Sequence, residues 1–385
     1  MLESLLVYTL LFAVLCVSGV VAARRGKKYV GGSGVYDENR YFFSPEVLFI
    51  IVSFTIVFGC RWGVGRDYFR YLYAYTDVLP ERFEFLFQGI SSVLKKAGAH
   101  YSVYFSVWAF LDVSLLYYSI RKYKFAFPFI AFFLIFGSYY LPMMNGIRQY
   151  IAALVFLNSI EYIEKKQIIQ FGVCFVIAVL FHKLSLILFV FYPLLRFKDD
   201  WFDSIVLQLV LFFIAVYLSL NGELVIQWIE MPFNWITDEL GYNIYDYEDL
   251  TEDRYDRNRF GNNTGLGIWV KMLVTVPIVL YSKDLKSYYN SSYFNMLYTL
   301  YFFGVITSLL FGSSIVLNRI ALFFAIYQLI IHSLFVYYCF DKKDYAHLII
   351  ATMIMIIQIP LFLNMISNPN STAPFLFFWQ QNLYS

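Results

Sequence analysis

Ten apolar runs, each long enough to cross a bilayer as a helix, leave this 385-residue chain few folds to choose from. A hydrocarbon core of roughly 30 Å takes about 17–25 apolar residues per helical crossing, and no lipid-exposed loop can stand inside it. The runs lie at about 2–22, 44–60, 101–120, 125–142, 145–163, 203–220, 265–281, 293–311, 314–338 and 346–364. The stretch between 168 and 196 is different. Two shorter apolar pieces, 168–181 and 184–195, are interrupted by His182-Lys183, which predicts a broken or re-entrant pair with His182 near its outer turn. The expectation is an all-α polytopic integral membrane protein with about 11–12 transmembrane helices, counting the pair at 168–196. With no repeat of fixed period and no low-complexity linker, a single transmembrane domain over 1–385 is expected.

Composition supports this reading. Hydrophobic residues make up 60% and charged residues 15%, against about 25% charged in soluble domains. The mean hydropathy is +0.61. A net charge of +2 gives no ground for nucleic-acid binding. The high aromatic share, 22%, suits lipid-facing Phe, and a sugar-stacking surface would need only a few of these rings. Cys16, Cys60, Cys174 and Cys339 all fall within or at the end of apolar runs, so neither a disulfide nor a metal site is expected. No cofactor is expected either. Glu3 precedes the first run and Arg24-Arg25-Gly26-Lys27-Lys28 follows it, the reverse of a cleavable signal.

Charge then orients the spans. Alternate connections carry Arg24, Arg25, Lys27, Lys28 and Arg40; Arg121, Lys122 and Lys124; Lys165 and Lys166; Arg196 and Lys198; Lys283 and Lys286; and Lys342 and Lys343. Short basic loops stay in the cytoplasm, so both termini are expected outside. The outer side breaks the rule at a few places: within 61–96, at Arg148, at Lys183, at 254–259 and at Arg319. Two outer connections are long. In 61–100, apolar positions 83, 86, 87, 90, 93 and 94 recur at helical spacing and predict an interfacial helix. The other, 221–264, is acidic and tyrosine-rich from Asp238 to Asp256, either a lid or a solvated loop.

Arg61-Trp62-Gly63-Val64-Gly65-Arg66-Asp67-Tyr68-Phe69-Arg70-Tyr71 sets three arginines and an aspartate directly after an apolar run. Charge at a membrane edge is costly unless a substrate or partner charge meets it. Asn145-Gly146-Ile147-Arg148-Gln149 and Ser313 through Asn318-Arg319 each open a later run, with a capping-type residue a few positions ahead of an Arg. A helix N-terminus with a guanidinium in its first turns suits a phosphate. Each Arg taken alone could equally snorkel to the headgroups. Arg61, Arg66, Arg148 and Arg319 together are read as an anion site. Asp67 and Glu84 are the nearest carboxylates in sequence, each a general base or an ion-pair partner, and His182 is a third candidate for proton transfer.

Arg66-Asp67-Tyr68 with Tyr71, then Glu84, Asn145-Gly146-Ile147-Arg148-Gln149, Phe181-His182-Lys183-Leu184-Ser185 and Asn318-Arg319-Ile320 resemble, in their order, the EpsG family of Wzy-like polymerases. That family serves bacterial exopolysaccharide, capsule and O-antigen synthesis, and the resemblance covers about 45–340. It implies a GT-C-like, metal-independent membrane glycosyltransferase in the inner membrane with its site facing the periplasm. A glycan growing on undecaprenyl pyrophosphate would pass to a sugar hydroxyl of an incoming lipid-linked repeat. Tyr71, Asn145, Gln149, Lys183 and Asn318 would then be substrate-binding, and a chain-length regulator protein is an implied partner. The alternative is a flippase or transporter of the same lipid, disfavoured because the charges gather at one face with no inverted repeat. A membrane acyltransferase would need a cytoplasmic acyl-donor site, which the sequence does not offer.

Overall fold

A computed structural model of the chain describes residues 1–30, 42, 44–78, 83–221, 265–312, 315–368 and 371–383. The chain is an all-α polytopic membrane protein. Two compact units divide it, one made of residues 1–189 and 336–385 and the other of 190–335.

The first unit begins with α1 (Leu2–Val30), α2 (Pro45–Gly59), a two-residue strand β1 (Arg61–Trp62), α3 (Tyr68–Tyr75) and α4 (Phe85–Lys96). It continues with α5 (Tyr101–Ser119), α6 (Phe127–Ile135), α7 (Tyr140–Asn145), α8 (Ile147–Glu164) and α9 (Ile168–Phe181). α1 packs on α2 and α6, α2 on α5, and α8 on both α5 and α9, with α4 laid against α9. This last contact brings the helix after the charged stretch to the break that follows α9. The break falls at His182, whose extended backbone (φ −157, ψ 114) ends the helix before a 3-10 stretch over Lys183–Val190.

The second unit holds α10 (Phe191–Phe197), α11 (Ile205–Leu220), α12 (Gly265–Leu280), α13 (Ser282–Tyr289), α14 (Ser292–Leu310) and most of α15 (Ile315–Lys342). α14 packs on α11. The Tyr298 hydroxyl donates to Gln208 Oε1 at 2.7 Å, while Lys286 Nζ donates to Asp200 Oδ1 at 2.7 Å and lies 4.5 Å from the Tyr298 ring centre. A half-buried lysine is tolerated here because it has both an acid and a ring face. α16 (Tyr345–Ser367) returns to the first unit and packs on α1.

Helices long and apolar enough to cross a membrane number four among the described residues: Leu2–Arg25, Ser292–Leu310, Leu317–Lys342 and Tyr345–Ser367. The pair Tyr101–Ser119 and Arg121–Ile135, bent by 100°, makes five if taken as one span. The count takes only described helices of full crossing length, so it leaves the expected 11–12 standing; several apolar runs are not single straight helices. The run at 125–142 is interrupted at Ser138, where φ is +61, so it divides into α6 and α7. Pro45–Gly59, Ile168–Phe181, Ile205–Leu220 and Gly267–Leu280 are apolar but shorter than a full crossing. At the α5–α6 bend Arg121 is buried and ion-paired with Glu161 of α8, and its guanidinium lies 4.1 Å from the Tyr118 ring centre.

The C-terminal segment, for which the sequence predicts no element after the run at 346–364, is built into the first unit. β2 (Leu376–Phe377) pairs antiparallel with β1, with Arg61 opposite Phe377 and Trp62 opposite Leu376. The Tyr8 hydroxyl donates to Ala373 O at 2.7 Å, and Phe378 N donates to Cys60 O at 2.9 Å. The acidic stretch 238–256, together with Arg40, Glu81, Arg82 and Ser313, lies outside the described residues.

Candidate active site

Glu84 stands immediately before α4 with an extended backbone (φ −63, ψ 157), which turns its side chain away from the helix axis. Its carboxylate meets two of the residues singled out in the sequence. Oε2 is ion-paired with Arg148 Nη1, and Oε1 lies 2.9 Å from His182 Nδ1. The side chains are 8%, 16% and 5% exposed for Glu84, Arg148 and His182. Three segments separated by 64 and 98 positions in sequence thus converge on one carboxylate.

Aromatic rings enclose the guanidinium. Arg148 Cζ lies 4.5 Å from the Phe83 ring centre, 5.9 Å from Phe87 and 6.0 Å from Tyr71, and these rings contact each other. A planar cation over ring faces is attracted by their quadrupoles and keeps its edge for oxygen ligands. Burial alone would raise the Glu84 pKa. The hydrogen bond to His182 and the Arg148 charge outweigh it and hold the carboxyl at about 2. Such a carboxylate is a weak base at neutral pH, but a good orienting group for the imidazole. With Nδ1–H donating to Glu84, Nε2 is the nitrogen left with a basic lone pair.

Asn145 was expected to cap the helix carrying Arg148. Gly146 occupies that position instead, and α8 starts at Ile147, so Arg148 is in its first turn. The Asn145 side-chain oxygen accepts from the backbone N–H of Arg66. The charged stretch and the Arg148 segment are therefore joined, although the Arg66 side chain itself is exposed. Asp67 precedes α3, and its carbonyl accepts from Tyr71 N at 3.0 Å. Gln149 is buried next to Arg148, and Lys183 is exposed next to His182.

Arg61 differs from the other arginines. It is 1% exposed, its Nη1 donates to Phe58 O and its Nε to Val64 O at 3.2 Å, and its Cζ lies 4.6 Å from the Phe105 ring centre. Burial brings its pKa down to about 10. Its donors serve one carbonyl in the last turn of α2 and one in the loop that follows β1, so its edge is turned to the backbone. Asn318 and Arg319 belong to the second unit, in the first turns of α15, both half-buried. Phe83 and Phe87 were expected only as the apolar face of an interfacial helix, and no sequence signal marks them as the seat of a guanidinium. Among the described residues no group of three His, Cys, Asp or Glu side chains could hold a metal ion.

Comparison with known proteins adds one positive finding. The family model described as "EpsG family" matches residues 47–378, most of the chain. No curated protein and no solved structure matches it.

Proposed function

Since this chain belongs to the EpsG family of Wzy-like polymerases, we propose that it elongates a bacterial polysaccharide from lipid-linked oligosaccharide repeats. The donor is the growing glycan on undecaprenyl pyrophosphate and the acceptor is a sugar hydroxyl of an incoming lipid-linked repeat. The reaction takes place on the outer face of the inner membrane. The observation that carries this reading is the convergence of Arg148 and His182 on Glu84.

In the reaction we assign, the acceptor oxygen attacks the anomeric carbon of the donor. The carbon–oxygen bond to pyrophosphate breaks, and its electron pair leaves with the pyrophosphate. His182 Nε2 takes the acceptor proton, and Glu84 stabilises the imidazolium that results. Glu84 is thus a positioning residue. Arg148, in the first turn of α8, offers its guanidinium edge and the helix N-terminal N–H groups to the developing negative charge, which needs no metal. Arg66, held beside Asn145, supplies a second cation to the phosphates, and Arg319 stays a phosphate candidate on its sequence alone. Asp67 remains a reserve for the base, while Tyr71, Gln149, Lys183 and Asn318 remain candidates for the glycan. A chain-length regulator acting on this polymerase is part of the same proposal.

Reconstituted full-length protein given two lipid-linked repeats tests the assignment. His182→Ala should lower linkage formation by about 10²-fold, the usual scale for a lost acid–base group. Glu84→Gln, which keeps the shape but not the charge, should lower it less and shift the rate profile with pH. Normal linkage by a folded His182→Ala protein would overturn the role of His182. Lipid translocation without linkage by the wild-type protein would make it a flippase.

A further inference from the structure

A train of aromatic rings runs over the first unit from α3 to the C-terminal segment. Ring centres of Tyr73 and Phe69 are 5.9 Å apart, Phe69 and Trp62 5.5 Å, and Trp62 and Tyr101 6.1 Å. The train goes on from Tyr101 to Phe378 at 5.8 Å and from Phe378 to Trp379 at 5.0 Å. Tyr73, Phe69 and Trp379 are 37%, 38% and 59% exposed, and the three rings between them are half-buried. Exposed rings on a membrane protein serve either as an interfacial anchor or as a binding surface.

The surroundings choose the occupant. A ring train facing only acyl chains would be flanked by apolar residues, and one sunk in the core would be covered. Here Arg66, Asp67 and Arg70 interleave with Trp62, Phe69 and Tyr73 along the chain, and His100 lies against both Tyr101 (4.0 Å between ring centres) and Phe378 (5.2 Å). Ring faces stack on the C–H faces of pyranoses, while charged and imidazole groups beside them bind hydroxyls. The rings are also fixed in place. β1 pairs with β2, and Gly65 N donates to Thr372 O at 3.0 Å, so Trp62 in the middle of the train and Phe378 just after β2 are tied to one ribbon. The train adjoins the candidate site: Arg66, between Trp62 and Phe69, donates its backbone N–H to Asn145, three residues before Arg148.

We infer that Tyr73, Phe69, Trp62, Tyr101, Phe378 and Trp379 form a stacking platform for the pyranose rings of the growing glycan, next to the Arg148–Glu84–His182 site. This rests on the polymerase reading, and deepens it by saying where the product chain lies. A platform several sugars long holds a long donor glycan better than a short one, so it favours continued extension.

The test uses the full chain in lipid nanodiscs. The probe is polysaccharide from the producing strain, released from its lipid by mild acid and end-labelled. Wild-type protein should bind it saturably, and Phe69→Ala and Trp379→Ala should each weaken binding about three- to tenfold, the scale for one aromatic contact. Trp379→Phe should restore most of it. In polymerisation, loss in the two Ala variants should grow with the length of the donor glycan, giving shorter product. His182→Ala should show the opposite pattern, with linkage lost at every length and polysaccharide still bound. Unchanged binding and product length in the Phe69→Ala/Trp379→Ala double variant would overturn the platform. Weaker membrane retention with unchanged binding would overturn it too, making the rings an interfacial anchor. Neither result touches linkage formation, so the polymerase reading stands or falls separately. Because Phe69, Tyr73 and Trp379 are exposed, Tyr73→Ala serves if either first variant fails to fold.

Discussion

Arg61 and Arg148 are both arginines at the edge of an apolar run in the same unit, one buried and one half-buried, and the molecule uses them for different purposes. The guanidinium of Arg61 is directed at backbone: Phe58 O and Val64 O accept from it, and Phe105 covers it. The guanidinium of Arg148 is directed at a carboxylate that His182 shares. One completes the end of a helix, where carbonyls lack partners. The other is part of a charged group whose members come from three segments, and such groups are expensive to assemble without a function. Where an arginine's donors go therefore separates scaffold from site better than its burial does.

The sharpest way to break this comparison is to remove each arginine in turn. Arg148→Ala should lower linkage formation per folded protein by about 10²–10³, or roughly 3–4 kcal/mol of barrier, beyond any yield lost through the unpaired Glu84. Arg148→Lys should be impaired less, since it keeps charge but not the two-pronged edge. Rates per folded protein, with yield from size-exclusion profiles, decide it. If Arg148→Ala loses yield and retains specific activity, Arg148 belongs with Arg61 as scaffold.

Acid sharpens the same contrast. The Glu84 carboxyl sits at about 2, below its ordinary 4.5. A depressed folded-state pKa gives stability that is full above about pH 4.5 and lost as pH falls toward 2. By linkage this is worth up to about 3 kcal/mol at neutral pH. Melting temperatures of wild type and Glu84→Gln should run parallel from pH 7 to about 5 and converge below it. Parallel curves down to pH 3 would mean that Glu84 is not held by Arg148 and His182.

Arg61 should respond in stability and not in chemistry. Arg61→Ala removes charge-assisted bonds to two buried carbonyls, a loss of about 2 kcal/mol, while surviving protein forms linkages at near-normal rate. A collapse in rate at unchanged melting temperature would place Arg61 at the substrate.

Much of this contrast was out of reach of the sequence. His182 was legible because a charged dipeptide breaks an apolar run, and Arg148 because it opens one. Glu84 was legible only as a carboxylate ahead of a helical pattern; its two partners depend on α4 packing against α9, which no local pattern encodes. Arg61 and Arg148 have the same signature at the level of sequence, since both follow or begin apolar runs. The direction of a guanidinium is a tertiary property. Leu376-Phe377 gave no strand signal because two residues show no periodicity. Hydropathy marked the apolar runs but not their breaks, since it cannot tell a straight helix from one interrupted at Ser138.

The smallest expected effect tests the joint between the two corners, where Gly65 meets the Asn145 segment. Gly65 has φ +101, and a Cβ there would come within 3.0 Å of Met144 O and 3.1 Å of Asn145 Oδ1. Gly63, two residues away, has φ +71, and a Cβ there would meet only the Phe69 ring at 3.7 Å, an ordinary contact. Both substitutions carry the strain of a side chain at positive φ, roughly 1 kcal/mol. Only Gly65→Ala also pushes on the residues that lead into α8. Gly63→Ala should therefore lower the melting temperature slightly and leave linkage formation alone. Gly65→Ala should lower both, with a loss of rate well below that of Arg148→Ala, because the guanidinium is displaced and not removed. Comparing loss of rate with loss of melting temperature in each variant separates the contact with 144–145 from the backbone strain, which is greater at Gly65 (φ +101) than at Gly63 (φ +71). Equal rates in both would mean that the charged stretch and the Arg148 corner work independently, and that Arg66 has no part in placing the phosphates.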